Sequence, residues 1–130
     1  MDLILDTCGL LSLSVLARKK LSSRTLNSIS SSDNLYISAC SLFEIALKEK
    51  RGQLDLSPFA NPNDFWIEAE SSYELETVAV TAEDFAQAVA LPDIHSDPFD
   101  RIILAQAMRL KCEIVSYDKR LKGYDVVLRA

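Results

Sequence analysis

Glycine is scarce, with three residues in 130, at Gly9, Gly52 and Gly123. Glycines this isolated exclude a Walker A loop and a dinucleotide-binding fingerprint, which need several close together to bring backbone N–H groups onto phosphate. Histidine is scarcer still, represented by His95 alone. One imidazole removes His-rich metal sites and gives a Ser-His-Asp triad little support. The cysteines Cys8, Cys40 and Cys112 are odd in number and form no CxxC pair. Neither a disulfide framework nor a thiolate zinc site is therefore expected. No apolar run approaches the roughly 18–20 residues that span a bilayer. The N-terminus reads Met1-Asp2-Leu3-Ile4-Leu5-Asp6, and acids at 2 and 6 do not fit a signal peptide. A cytoplasmic protein with no membrane segment is the expectation.

Hydrophobic residues make up 48% of the chain and charged residues 25%, too much apolar content for disorder as the main state. The length suits one domain, 1–130, because two halves would each bury too little core. Residues 3–5 form a short apolar run suited to a buried strand, after which Thr7 is placed to cap a helix over 8–19. A weaker helix is expected within 21–34 and a second strand at 35–37. Ser38 or Ser41 caps a helix over about 39–51, which Gly52 stops. Residues 53–62 read as a connection and 63–73 as a helix, followed by a third strand at 76–80. Thr81 and Asp84 resemble a capping box opening a helix through about Ala90. Asp97-Pro98 opens another, through about Lys111, before strands at 113–116 and 125–128. Strands alternate with helices and no hairpin signal appears, the pattern of an α/β domain with a mostly parallel sheet.

In such a sheet ligands bind beyond the carboxyl ends of the strands. Asp6 follows the first strand, Glu44 lies in the helix after the second, Asp97 and Asp100 open the helix before the fourth, and Asp118 lies just past it. Each acid also has a structural reading. Asp97 fits an N-cap with proline at the first helical position. Ser41 and Glu44 match a capping box, and Glu44 can pair with Lys48 at i+4. Asp118 fits a turn. Their joint placement at one edge is what points to chemistry. Clustered carboxylates repel one another, and a divalent cation removes the conflict. With oxygen as the available donor, magnesium or manganese is favoured. The net charge of −5 at first argues against a nucleic-acid partner. Setting the five acids aside leaves fourteen acidic against fourteen basic residues, so the rest of the chain is neutral and a polyanionic substrate is compatible with it.

These residues together resemble the PIN-domain family, and within it the VapC-type toxin ribonucleases of toxin–antitoxin pairs. Leu3-Ile4-Leu5-Asp6-Thr7 is similar to the family's first strand and first metal aspartate. Residues 37–48 are similar to its second strand and glutamate-bearing helix. The run from Leu91 to Ala107, with Asp97-Pro98-Phe99-Asp100-Arg101, is the most specific stretch, and Val115-Ser116-Tyr117-Asp118 followed by Tyr124 resembles the last acidic site. The resemblance implies a three-layer α/β/α sandwich with a sheet of about five strands. It also implies a magnesium- or manganese-dependent endoribonuclease in which Asp6, Glu44, Asp100 and Asp118 are catalytic. Asp6, Asp97, Asp100 and Asp118 would hold the metal, Asp97 in second rank. A metal-activated water would attack phosphorus, leaving a 5′-phosphate and a 3′-hydroxyl. Cys8 stands where many relatives carry His, and Phe43 where many carry Trp. Two alternatives are a non-catalytic PIN-fold interaction module and a haloacid-dehalogenase-like phosphatase. The phosphatase wants a second acid at position 8, where this chain has Cys8.

Arg101, Lys119, Arg120 and Lys122 are placed to hold RNA phosphates. Helix 8–19 carries Leu10, Leu11, Leu13, Val15 and Leu16, more than one face needs to pack on a sheet. With Phe65 and Trp66 of helix 63–73 it is expected to expose an apolar patch, an interface. The resemblance suggests a homodimer contact or a groove for an antitoxin segment as its use.

Overall fold

A computed structural model of the chain describes residues 1–14, 16, 20–94, 96–117 and the backbone of 128–129. Each strand is a short apolar run: β1 (Asp2–Leu5), β2 (Asn34–Ser38), β3 (Glu76–Val78), β4 (Glu113–Val115) and β5 (Leu128–Arg129). All pairings are parallel, in the order β3-β2-β1-β4-β5. The helices between them are α1 (Thr7–Leu13), α2 (Ser23–Ser30), α3 (Ala39–Lys50), α4 (Pro62–Ser72), α5 (Ala82–Ala90) and α6 (Pro98–Leu110).

The alternation of side chains along a strand divides the core in two. Leu3 and Leu5 of β1, Leu35 and Ile37 of β2 and Val115 of β4 face a large cluster with Leu10, Leu11, Ile45, Phe65, Trp66 and Ala69. Ile4 and Ile114 face the other side, against Ile103, Leu104 and Ala107 of α6. Helix α5 lies against α6. The result is the expected three-layer sandwich.

Local details depart from expectation where distant groups intervene. The cap of α1 is Asp6, not Thr7: the Asp6 carboxylate accepts the Gly9 N–H, while the Thr7 hydroxyl donates to Ser41 Oγ at 2.9 Å in the interior. Ser38 is the cap of α3, accepting from the Cys40 N–H, and Ser41 is occupied by Thr7, so the Ser41–Glu44 capping box does not form. The box at Thr81 and Asp84 does form, with both hydrogen bonds present. Strand β3 ends at Val78 rather than 80, because the buried Gln106 amide takes the carbonyls of Val78 and Ala79 at 3.4 and 3.3 Å. Gly52, at φ 70°, follows α3, and Lys111, at φ 56°, ends α6. The last strand is seen at Leu128–Arg129; its expected start at 125–127 lies outside the described residues.

Among the described residues the expected apolar patch is not exposed. Leu10 is fully buried, Phe65 is 1% and Trp66 5% exposed, and Leu13 and Leu16 are partly buried against the same cluster. Helices α1, α3 and α4 share one thick core on that face, so the apolar surface of α1 meets α3, β1 and this common cluster rather than solvent. Val15 lies outside the described residues.

Candidate active site

Leu3, Ile4 and Leu5 of β1 are fully buried, and Asp6, where the chain leaves the sheet, is itself only 4% exposed. A buried carboxylate needs donors. The Asp6 Oδ1 accepts the Gly9 N–H at 2.6 Å, at the positive end of α1. The Asp6 N–H in turn donates to the Val115 carbonyl at 3.1 Å, fixing the start of α1 against the end of β4. Gly9 sits in that contact: a Cβ there would meet the Val115 oxygen at 2.8 Å and Asp6 Oδ1 at 3.1 Å. The absence of a side chain at position 9 is what lets Asp6 point along the sheet edge.

Two further joints bring the other carboxylates in. The Thr7–Ser41 hydrogen bond ties α1 to α3, the helix that carries Glu44. The Cys40 thiol lies 3.9 Å from the Phe99 carbonyl, so the first turn of α3 abuts the first turn of α6. The Phe43 and Phe99 rings meet across the same joint, centroids 5.7 Å apart and tilted by 37°. Asp97 caps α6, its Oδ1 accepting from Phe99 N at 2.9 Å and Asp100 N at 3.2 Å. This leaves the partly buried Asp100 one turn into the helix. Glu44 is paired with Lys48, Nζ to Oε2 at 3.0 Å.

The convergence shows in two thiols. Desolvation pushes Cys8 up to about 11, with the charges of Asp6, Glu44 and Asp100 adding to the rise and Lys48 opposing it. Cys40 is likewise pushed up to about 11, by desolvation first and then by Glu44, Asp100 and Asp97, with Ser38 opposing. Asp6, Glu44, Asp97 and Asp100 therefore act on one small region. Cys8 shows surface to solvent, and Cys40 and Cys112 are buried; all three are free thiols. Cys8 is a neutral thiol there, with no thiolate to act as a nucleophile at ordinary pH.

Oxygen donors of this kind suit a hard divalent cation. Among the described residues no three acidic, thiol or imidazole groups stand close enough to hold an ion as they are; like charges keep apart when nothing bridges them. Asp118, the remaining expected ligand, lies outside the described residues, as do His95, Lys119, Arg120, Lys122 and Tyr124. Val115 ends β4 beside β1, where its carbonyl accepts the Asp6 N–H.

Arg101 departs from expectation. It is not turned outward to meet phosphate: its guanidinium donates to the carbonyls of Ala88, Val89, Leu91 and Pro92 at 2.7–3.2 Å. It closes the carboxyl end of α5, where four helical carbonyls lack partners, and holds the segment that leads into Asp97. Sequence reading also gives no function to Gly9 or to the Thr7–Ser41 pair. A glycine three residues after a strand-ending aspartate is a visible signal, but its reason is a carbonyl in β4.

The chain belongs to the PIN-domain family: the model of that domain matches residues 3–127. Within the family it is a homologue of the VapC ribonucleases, 32% identical over 107 residues to Ribonuclease VapC22 of Mycobacterium tuberculosis, covering 82% of this chain and 79% of that protein. Among solved structures the fold matches the VapBC2 complex of Rickettsia felis bound to a promoter DNA fragment, with TM-score 0.70, 14% identity and coverage of 99% and 98% of the two chains. It also matches a toxin–antitoxin complex from Klebsiella pneumoniae, with TM-score 0.64, 19% identity and coverage of 95% and 93%. Membership of this family removes the phosphatase alternative.

Proposed function

We propose that the protein is a magnesium- or manganese-dependent endoribonuclease and the toxin of a toxin–antitoxin pair. The observation that carries this reading is that the Thr7–Ser41 and Cys40–Phe99 joints hold together the segments bearing Asp6, Glu44 and Asp100 at one sheet edge. The homologous ribonuclease supports the reaction class, and the toxin–antitoxin complexes of the same fold support an antitoxin partner. A divalent cation, when bound, neutralises charge on the phosphate and makes a water a better nucleophile at neutral pH.

Asp6, Asp100 and Asp118 hold the cation. Asp97 contributes in second rank, since one of its oxygens serves the helix cap. Glu44, braced by Lys48, would complete the site, through a coordinated water or by direct contact. Cleavage leaves a 5′-phosphate and a 3′-hydroxyl. A homodimer and a cytoplasmic location belong to the same reading; among the described residues no helix is long and apolar enough to cross a membrane.

The test is cleavage of single-stranded RNA by purified protein freed of any partner, with Mn2+ or Mg2+ and with chelator, beside an Asp6→Asn control. Cleavage that requires metal and disappears in Asp6→Asn is expected. Cleavage that ignores chelator, or persists in the control, removes the metal-site assignment. A folded protein that cuts no RNA with either metal supports the non-catalytic interaction module instead.

A further inference from the structure

A site built from carboxylates has to hold a polyanion. Phosphate contacts alone give it little purchase, because the acids repel the backbone except where a cation bridges them. Arg101, the described basic residue adjoining Asp100, is committed to the carbonyls of α5 and the following loop. What the structure does present beside the acids is aromatic surface. Phe43 directly precedes Glu44 and Phe99 directly precedes Asp100, and the two rings meet across the α3–α6 joint. Phe99 is partly buried against the α6-side core, which fixes it. Phe43 leans on Phe99 and is 64% exposed. One ring is thus anchored and the other is held at an angle with its surface in water, one residue from a candidate catalytic glutamate.

Single exposed apolar side chains are ordinary; Phe43 differs in that its ring rests on a second, anchored ring at the joint between the helices that carry Glu44 and Asp100. A nucleobase is the natural occupant. Its π-face stacks on a ring without regard to charge. In a duplex the base faces are already taken by their neighbours, so the contact is open only to unpaired nucleotides.

We propose that Phe43, supported by Phe99, is a stacking platform for an unpaired base of the RNA held at this site. This rests on the ribonuclease reading above.

The experiment is steady-state cleavage, with Mn2+, of one oligoribonucleotide presented single-stranded and as a duplex. Wild type, Phe43→Ala, Phe43→Leu and Phe43→Trp are compared. Thermal melts establish that the variants fold, which an exposed position favours. Phe43→Ala and Phe43→Leu should each raise KM for the single strand about tenfold with kcat within about threefold, and Phe43→Trp should restore KM. Cleavage of the duplex should be poor in every case and insensitive to position 43.

A KM within twofold of wild type in Phe43→Ala overturns the proposal. So does a leucine variant as good as wild type, since leucine keeps apolar contact but cannot stack. So does a loss confined to kcat, or a loss confined to capture of a protein partner. If folded wild type cleaves nothing, the ribonuclease reading falls and takes the platform with it. If wild type cleaves and Phe43→Ala is unchanged, only the platform falls.

Discussion

Two places in this molecule put aspartates at the start of a helix, and they put them to opposite use. At the α5–α6 face, Asp84 is 2% exposed and accepts the N–H of Thr81, the cap residue of α5, and Arg109 of α6 answers it with a fork, Nε to Oδ1 at 2.8 Å and the terminal nitrogen to Oδ2 at 2.9 Å. Together with Arg101 at the other end of α5, this clamps the helix to α6 at both ends. The Arg109 hydrogen bonds, outweighing desolvation, hold the Asp84 carboxyl below its ordinary value. At the carboxyl edge of the sheet, Asp6 and Asp97 are themselves the cap residues of α1 and α6. There the neighbouring side chains include further acids, Glu44 and Asp100, whose charges the Cys8 thiol registers. A buried aspartate answered by arginine stabilises a fold; one gathered with other carboxylates is what metal chemistry uses.

The largest way to break this contrast is to remove a charge at the edge. Asp6→Asn or Asp100→Asn should lower RNA cleavage more than a hundredfold, measured with Mn2+. Thermal stability without metal should hold or rise, because asparagine is as good a cap as aspartate and one repelling charge is gone. Activity within twofold of wild type in both variants would contradict the site.

Next in size are two stability effects. Gly9→Ala should cost about 2 kcal/mol, because its Cβ would fall 2.8 Å from the Val115 oxygen, a backbone atom that cannot rotate away. Arg109→Ala should also cost about 2 kcal/mol in denaturant titrations at neutral pH. Asp84 has a lowered folded-state pKa, so its contribution is present above its unfolded value near 3.8 and is lost as pH falls through the lower folded value. The gap between wild type and Arg109→Ala should therefore close below about pH 3.8, and a gap unchanged there would show that the pair is not its source.

A smaller effect separates the cap from the ligand at Asp97. Asp97→Ala should cost about 1 kcal/mol, and Asp97→Ser should keep both stability and most cleavage. If the serine variant is as inactive as Asp100→Asn, Asp97 ranks with the principal ligands.

The least effect is on Cys8. Its rate of alkylation by iodoacetamide should rise through pH about 11, not near 9, and move downward in Glu44→Gln.

The order of elements was legible because each strand is a short apolar run between turn residues, and each helix begins with a capping side chain. The sheet-edge placement of Asp6, Glu44, Asp97 and Asp100 followed from that order alone. Leu10 and Trp66 were not legible in the same way. A helix with a wide apolar face looks identical whether its second flank meets solvent or other elements, and here the cluster shared by α1, α3 and α4 supplies the cover. Arg101 was misleading for a similar reason: a basic residue beside a candidate catalytic aspartate fits phosphate binding equally well, and only the arrival of the α5 carbonyls shows its use.

Local physics, written in the sequence, therefore determined the strands, the helix starts and the four acids at one edge, because caps and burial periodicity act over a few residues. Only the tertiary structure decided which oxygen caps and which partner answers it. The Thr7 hydroxyl goes to Ser41, Gly9 is held against Val115, and Arg109 reaches Asp84. Each of these is set by the packing of elements far apart in the chain, where no short-range rule reaches.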